Sequence, residues 1–135
     1  MVLPKHKEKF LTEMAHMHRH DRLLMVGGDF NIMRSHLEKN KENFDNKWSF
    51  LFNAVIDGLN LREIEMSGRQ YTWANNLSNP TFDKLDRILV TTEWELKYLL
   101  TIVQALNRDI SNHTPLLLNR GRLHHHILSL CSNLN

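Results

Sequence analysis

A chain of 135 residues and 16.0 kDa, 41% hydrophobic and 24% charged, is sized and composed for one domain with one core, and not for two domains or for a wholly disordered segment. Seventeen Lys and Arg against 15 Asp and Glu leave a formal charge of +2, too near zero to argue for nucleic acid by electrostatics alone, so any such partner has to be argued from a site. There is no membrane-spanning run, no basic-then-apolar leader, and only one cysteine, Cys131, which excludes a disulfide framework and a multi-cysteine zinc site and fits an intracellular, reducing setting.

Residues 5–20 place Phe10, Met14 and Met17 at helical spacing beneath a basic, His-rich outer face. Residues 23–26 (LLMV) are a short apolar run that stops at Gly27-Gly28, as expected of a strand buried on both faces. Asp29, Phe30 and Asn31 then lie just past its carboxyl end, where open α/β sheets tend to hold ligands. Residues 33–45 are charged and aperiodic and predict a surface loop. From Asn46, the residues Trp48, Leu51, Phe52, Val55, Ile56 and Leu59 recur on one helical face, and Gly58 marks the stop.

Short β-type segments follow at 61–64 and 70–74. The turn-rich stretch 75–80 (NNLSNP) ties Tyr71 and Trp73 as a hairpin to a strand carrying Leu85, Ile88, Leu89 and Val90. Thr92 with Glu95 three residues on reads as a capping box opening a short helix through Leu100, and two more strands are expected at 101–106 and 116–118. The order α-β-α-β-β-β-α-β-β predicts a mixed α/β layer fold with several antiparallel pairings.

Three polar clusters border these apolar segments: Gly28-Asp29-Phe30-Asn31, Leu85-Asp86-Arg87 and Ser111-Asn112-His113. Polar groups at such edges are costly to bury unless they serve a site. In extended backbone, residues two apart share a side, so Asp29 and Asn31 face one ligand together. A carboxylate and an amide there suit a divalent cation and its phosphate, with Asp86 a second carboxylate and His113 an acid, base or cation in the neutral range. Each cluster alone is ordinary, a turn, a strand-end ion pair or a loop histidine; their conjunction is the signal.

The wording GGDFNI, SGRQYTWAN, FDKLDRILVTTEW and ISNHTPLLLN resembles the endonuclease/exonuclease/phosphatase superfamily, and within it the endonuclease domain of plant non-LTR (LINE-type) retrotransposons, over roughly residues 8–119. The resemblance implies a four-layer α/β sandwich of two packed mixed sheets and Mg²⁺- or Mn²⁺-driven hydrolysis of a DNA phosphodiester in the nucleus, with no small-molecule cofactor. It implies that Asp29 and Asn31 are the nucleophile-positioning and phosphate-contacting pair, that Asp86 helps hold the metal or the catalytic histidine, and that His113 is that histidine. Asn112 takes the place of an aspartate, and Trp73 becomes a packing aromatic in preference to a DNA-facing one.

Two departures from the pattern shape the expectation. The family's earlier half supplies an asparagine and the main metal-binding glutamate, for which residues 1–22 offer no counterpart, so Asp29 and Asp86 form a weak, incomplete metal site. The neutral Asn112 removes a charge beside the histidine. The chain is therefore expected to be a partial domain over residues 1–119, truncated at its N-terminus, with an unrelated tail over 120–135. The expected protein is a degenerate endonuclease with little or no turnover, and its inner face around residues 23–26 and 85–90 should be exposed and prone to aggregation. A non-catalytic nucleic-acid-binding or interaction module and a phosphatase of small phosphoesters are the rival readings. His124, His125 and His126, and the alternating His16, His18 and His20, are read as ordinary solvated histidines in preference to metal ligands.

Overall fold

The structure, a computed structural model, describes residues 4–17, 23–108 and 111–121 and the backbone of 125–128. Its centre is strand β6 (Asp86–Thr91), in which all six residues are buried. The strand lies in the middle of a three-stranded antiparallel sheet between β1 (Met25–Asp29) and β2 (Leu61–Glu63). Alternation along β6 sends its side chains to two different cores. Leu89 packs with Leu11 and Met14 of α1 (Pro4–Ala15), with Phe52 and Ile56 of α2 (Asn46–Gly58) and with Phe30 and Ile32. Ile88 and Val90 face the other way, onto Val103, Leu116 and Leu118.

Those last residues belong to a second sheet, in the order β3 (Met66–Ser67), β7 (Ile102–Ala105), β8 (Leu116–Asn119) and β9 (His125–Leu128), parallel between β3 and β7 and antiparallel thereafter. The described residues thus stack as helices, sheet and sheet. The chain is a mixed α/β fold, and among the described residues these three layers are present, with no second helical layer on the outer face of the four-stranded sheet. Strand β9 lies within the segment read as a tail. His18, His20, His124 and Cys131 lie outside the described residues.

Several expectations are corrected. The doubly buried strand is β6, whereas β1 is an edge strand, half-buried with Gly27 exposed, and it runs through both glycines to Asp29. Gly28 holds a φ of 150°, which side-chain-bearing residues seldom adopt. Because the pairing is antiparallel, the site sits where β1 ends and β6 begins rather than at the rim of a parallel sheet. The expected exposure of residues 85–90 is absent, since α1, α2 and the second sheet cover both faces of β6. Leu23, in the other stretch expected to be open, is exposed, and so are Phe50, Leu96, Leu99, Leu100 and Ile102.

The hairpin following β4 (Trp73–Ala74) pairs with a separate short strand, β5 (Phe82–Asp83), and not with the strand through Val90. Helix α3 (Thr92–Lys97) is capped one residue earlier than the sequence suggested: Thr91 Oγ1 accepts the Trp94 N–H, and the helix ends at Lys97. Helix α1 ends at Ala15, before the expected residue 20. Helix α2 begins and ends as its periodicity predicts, with Asp45 as its cap accepting the Lys47 N–H. No helix of the described residues is long and apolar enough to cross a membrane.

Candidate functional site

The antiparallel register sets Asp29 directly opposite Asp86. Residues facing each other across a ladder project to the same side of the sheet, so both carboxylates reach one rim of the space between the sheets. Asp86 is fully buried there. Asp29 Oδ1 accepts the Asn31 N–H at 2.8 Å in a local turn in which Asn31 sits in the left-handed region at φ 51°. The buried Asn31 Nδ2 has no hydrogen-bond partner among the described residues, and neither has Asp86 Oδ1.

His113 arrives from a distant part of the chain. Its segment pairs with β4: Trp73 bridges His113, Ala74 N–H donates to the Asn112 carbonyl at 3.1 Å, and Thr114 N–H donates to the Thr72 carbonyl at 2.7 Å. The half-buried ring then meets both acids, Nδ1 at 3.0 Å from Asp86 Oδ2 and Nε2 at 3.4 Å from Asp29 Oδ2. An ionised carboxylate only accepts, so the proton on Nδ1 faces Asp86. The hydrogen bond to Asp86 raises the His113 pKa above its ordinary value; burial opposes this, and the charges of Asp86 and Asp29 add to the rise.

One ligand atom each from Asp29, Asp86 and His113 lie within 4.8 Å of one another. Two carboxylates and an imidazole suit a divalent cation whose other positions are taken by water and phosphate, and the free Oδ1 of Asp86 is an available donor. His113 thereby joins the two acids that sequence alone assigned to the metal. Asn112 does not enter the trio: its side chain is exposed and its Oδ1 accepts from Asn76 Nδ2. Trp73 is half-buried.

Two further features went unread in the sequence. Thr72 is fully buried, and its Oγ1 accepts the N–H groups of Leu85 at 2.9 Å and Asp86 at 3.0 Å. Together with its carbonyl bond to Thr114, this fastens the Asp86 and His113 segments to each other. Thr72→Val should leave two buried amides without acceptors, at about 1–3 kcal/mol each; chemical denaturation measures the loss, and Thr72→Ser, which keeps the hydroxyl, should largely restore it.

On the opposite face of β6, the fully buried Arg87 guanidinium is clamped by Glu38 (2.9 and 3.0 Å) and Glu63 (2.9 Å). Lys84 and Arg34 also pair with Glu63. The segment 33–45 is thus no free surface loop, since it delivers Glu38 through a 3-10 turn (His36–Glu38) capped by Ser35. Burial pushes the Glu63 pKa up, but the Arg87 and Lys84 charges and their hydrogen bonds outweigh it and hold the group at about 2. A lowered carboxyl pKa adds stability that is complete above the ordinary 4.5 and is lost as pH falls towards about 2. An acid titration of unfolding should lose about 3 kcal/mol through this window, and Glu63→Gln should flatten it.

No protein-family model and no curated protein matches this chain. Among solved structures, beta toxin 275-280 from Staphylococcus aureus aligns with a TM-score of 0.49 and 16% identity, over 84% of this chain and 42% of that one. The chain thus spans less than half the length of that protein. The functional reading rests on the site and on the sequence motifs.

Proposed function

We propose that Asp29, Asn31, Asp86 and His113 are the polar half of a divalent-metal-dependent phosphodiester hydrolysis centre. In this reading the domain is of the endonuclease/exonuclease/phosphatase kind, closest to the endonucleases of non-LTR retrotransposons, and its substrate is DNA. The observation that carries the reading is the convergence of three segments, far apart in sequence, on one rim where two acids and a histidine lie within 4.8 Å. The ordered motifs from GGDFNI to ISNHTPLLLN support it from the sequence side.

Each side chain has a role that its surroundings suit. Asp29 orients the attacking water and accepts its proton, while the buried Asn31 amide donates to a phosphoryl oxygen. Asp86 fixes the His113 tautomer and sustains its protonated form, which faces the charge that builds on the phosphoryl group. A divalent cation bound at this rim supplies Lewis-acid charge to the same oxygens. Two carboxylates, Asp29 and Asp86, hold Mg²⁺ or Mn²⁺ weakly, since a protonated His113 offers no lone pair, and Asn112 lends no charge, so the chain by itself turns over slowly or not at all.

Titration with Mn²⁺ followed by supercoiled-plasmid assays tests this. Weak Mn²⁺ binding that disappears in Asp86→Ala, salt-sensitive duplex binding, and any nicking lost in Asp29→Ala support the reading. Asn112→Asp should raise whatever nicking is present. Mn²⁺ binding indifferent to both Asp29 and Asp86, with no affinity for duplex DNA, overturns it.

A further inference from the structure

Arg87 touches no group at the rim, yet it binds the backbone on both sides of it. Its Nη2 donates to the carbonyl of Ile32 at 3.2 Å and to that of Lys84 at 2.9 Å. Ile32 directly follows Asn31, and Lys84 lies two residues before Asp86. The same guanidinium is held from behind by Glu38 and Glu63 and lies over the Phe52 ring, 5.5 Å from its centroid. A single nitrogen, Nη2, therefore joins the two segments whose geometry the rim depends on, and it is shared with Glu38 Oε1.

Stability gives no reason for such an arrangement. Buried ion clusters replaced by well-packed neutral residues usually cost a protein little and often stabilise it, because the charges no longer pay for desolvation. What a guanidinium supplies and an apolar side chain cannot is one nitrogen that donates to two main-chain carbonyls while the other is fixed by Glu38 and Glu63. The left-handed backbone of Asn31 is the strained element within its reach.

We propose that Arg87 is a positioning residue: by joining the Ile32 and Lys84 carbonyls it holds the left-handed turn at Asn31, and so aims the Asn31 amide at the rim shared by Asp29, Asp86 and His113. The role of that amide towards phosphate rests on the proposed phosphodiester reading, whereas the conformation it adopts does not.

The test uses the full chain and three proteins: wild type, Arg87→Met combined with Glu38→Gln and Glu63→Gln, and Arg87→Lys. The triple variant removes Arg87 together with its two acids, leaving Lys84 and Arg34 as the remaining charges of the cluster, and its melting is followed so that loss of the clamp is read apart from loss of the fold. NMR of the ligand-free proteins reports the backbone coupling and side-chain amide of Asn31. Titration with dimethyl phosphate in the presence of Mg²⁺ reports binding at that amide.

The expected result is that Asn31 leaves the left-handed region in the triple variant while cooperative melting persists, and that dimethyl phosphate binding falls at least tenfold. Arg87→Lys keeps the charge, but its stem is one bond shorter and lacks the second nitrogen that Glu38 and Glu63 anchor, so it should not restore either readout. Unchanged Asn31 signals in the triple variant, or in Arg87→Lys should the triple variant fail to fold, overturn the proposal. If Asn31 moves as expected but wild type shows no response to dimethyl phosphate, the positioning role stands and the phosphodiester reading fails.

Discussion

Arg87→Met alone is expected to lower the free energy of unfolding by about 3–5 kcal/mol, the range for breaking a buried ion cluster by removing one member. The loss does not come from the missing contacts. Glu38 and Glu63 have side chains only 16% and 12% exposed, and without the guanidinium they face each other with Lys84 and Arg34 as partial compensation. Adding Glu63→Gln to Arg87→Met should recover part of the loss, and denaturation of the two single variants and the double variant measures that coupling. A loss below about 1 kcal/mol would mean that water reaches the cluster freely and that it behaves as a surface pair.

Asp86→Asn should have the largest effect on chemistry. The amide cannot sustain a protonated imidazole, so the His113 titration point falls from its raised position, which NMR of the ring protons reads directly. A histidine whose pKa is raised by folding contributes stability that is complete below its ordinary 6.5 and is lost as pH rises through the raised value. The stability deficit of Asp86→Asn should accordingly grow as pH falls and shrink in alkali. Any Mn²⁺-dependent nicking should drop by up to about 10⁴, the cost of the matching acid-to-amide change beside a catalytic histidine in serine proteases. A His113 titration unchanged by the substitution would remove Asp86 from its partnership with the ring.

What could be read beforehand divides along physical lines. Helix α2 was legible because six apolar residues at helical spacing leave one solution, and the Asp29, Asp86 and His113 clusters were legible because polar residues flanked apolar runs. The strand through Met25 was misjudged: four apolar residues in a row carry no information on whether one face or two are covered, and the two glycines that suggested a stop are part of the strand. The role of Glu38 was hidden because a charge in an aperiodic segment is ordinary, and its partner lies 49 residues away. Thr72 gave no signal at all, since its function is to accept two main-chain amides. Arg87 was half-visible: alternation from Asp86 places it on the opposite face of β6, inside a core, where a guanidinium requires acids.

The facing of Asp29 and Asp86 across β1 and β6 has a consequence for how this chain tolerates change. Both acids share their ladder with Met25, Ile88 and Val90, which fill the space between the sheets. Replacing one of those apolar residues with another of similar bulk alters packing and leaves the acids where they are. Deleting or inserting one residue between Asp86 and Val90 inverts one end of the strand against the other, so that with Val90 kept in its core the Asp86 carboxylate turns towards the helices. Homologous chains can therefore drift in composition along this strand while its length stays constant.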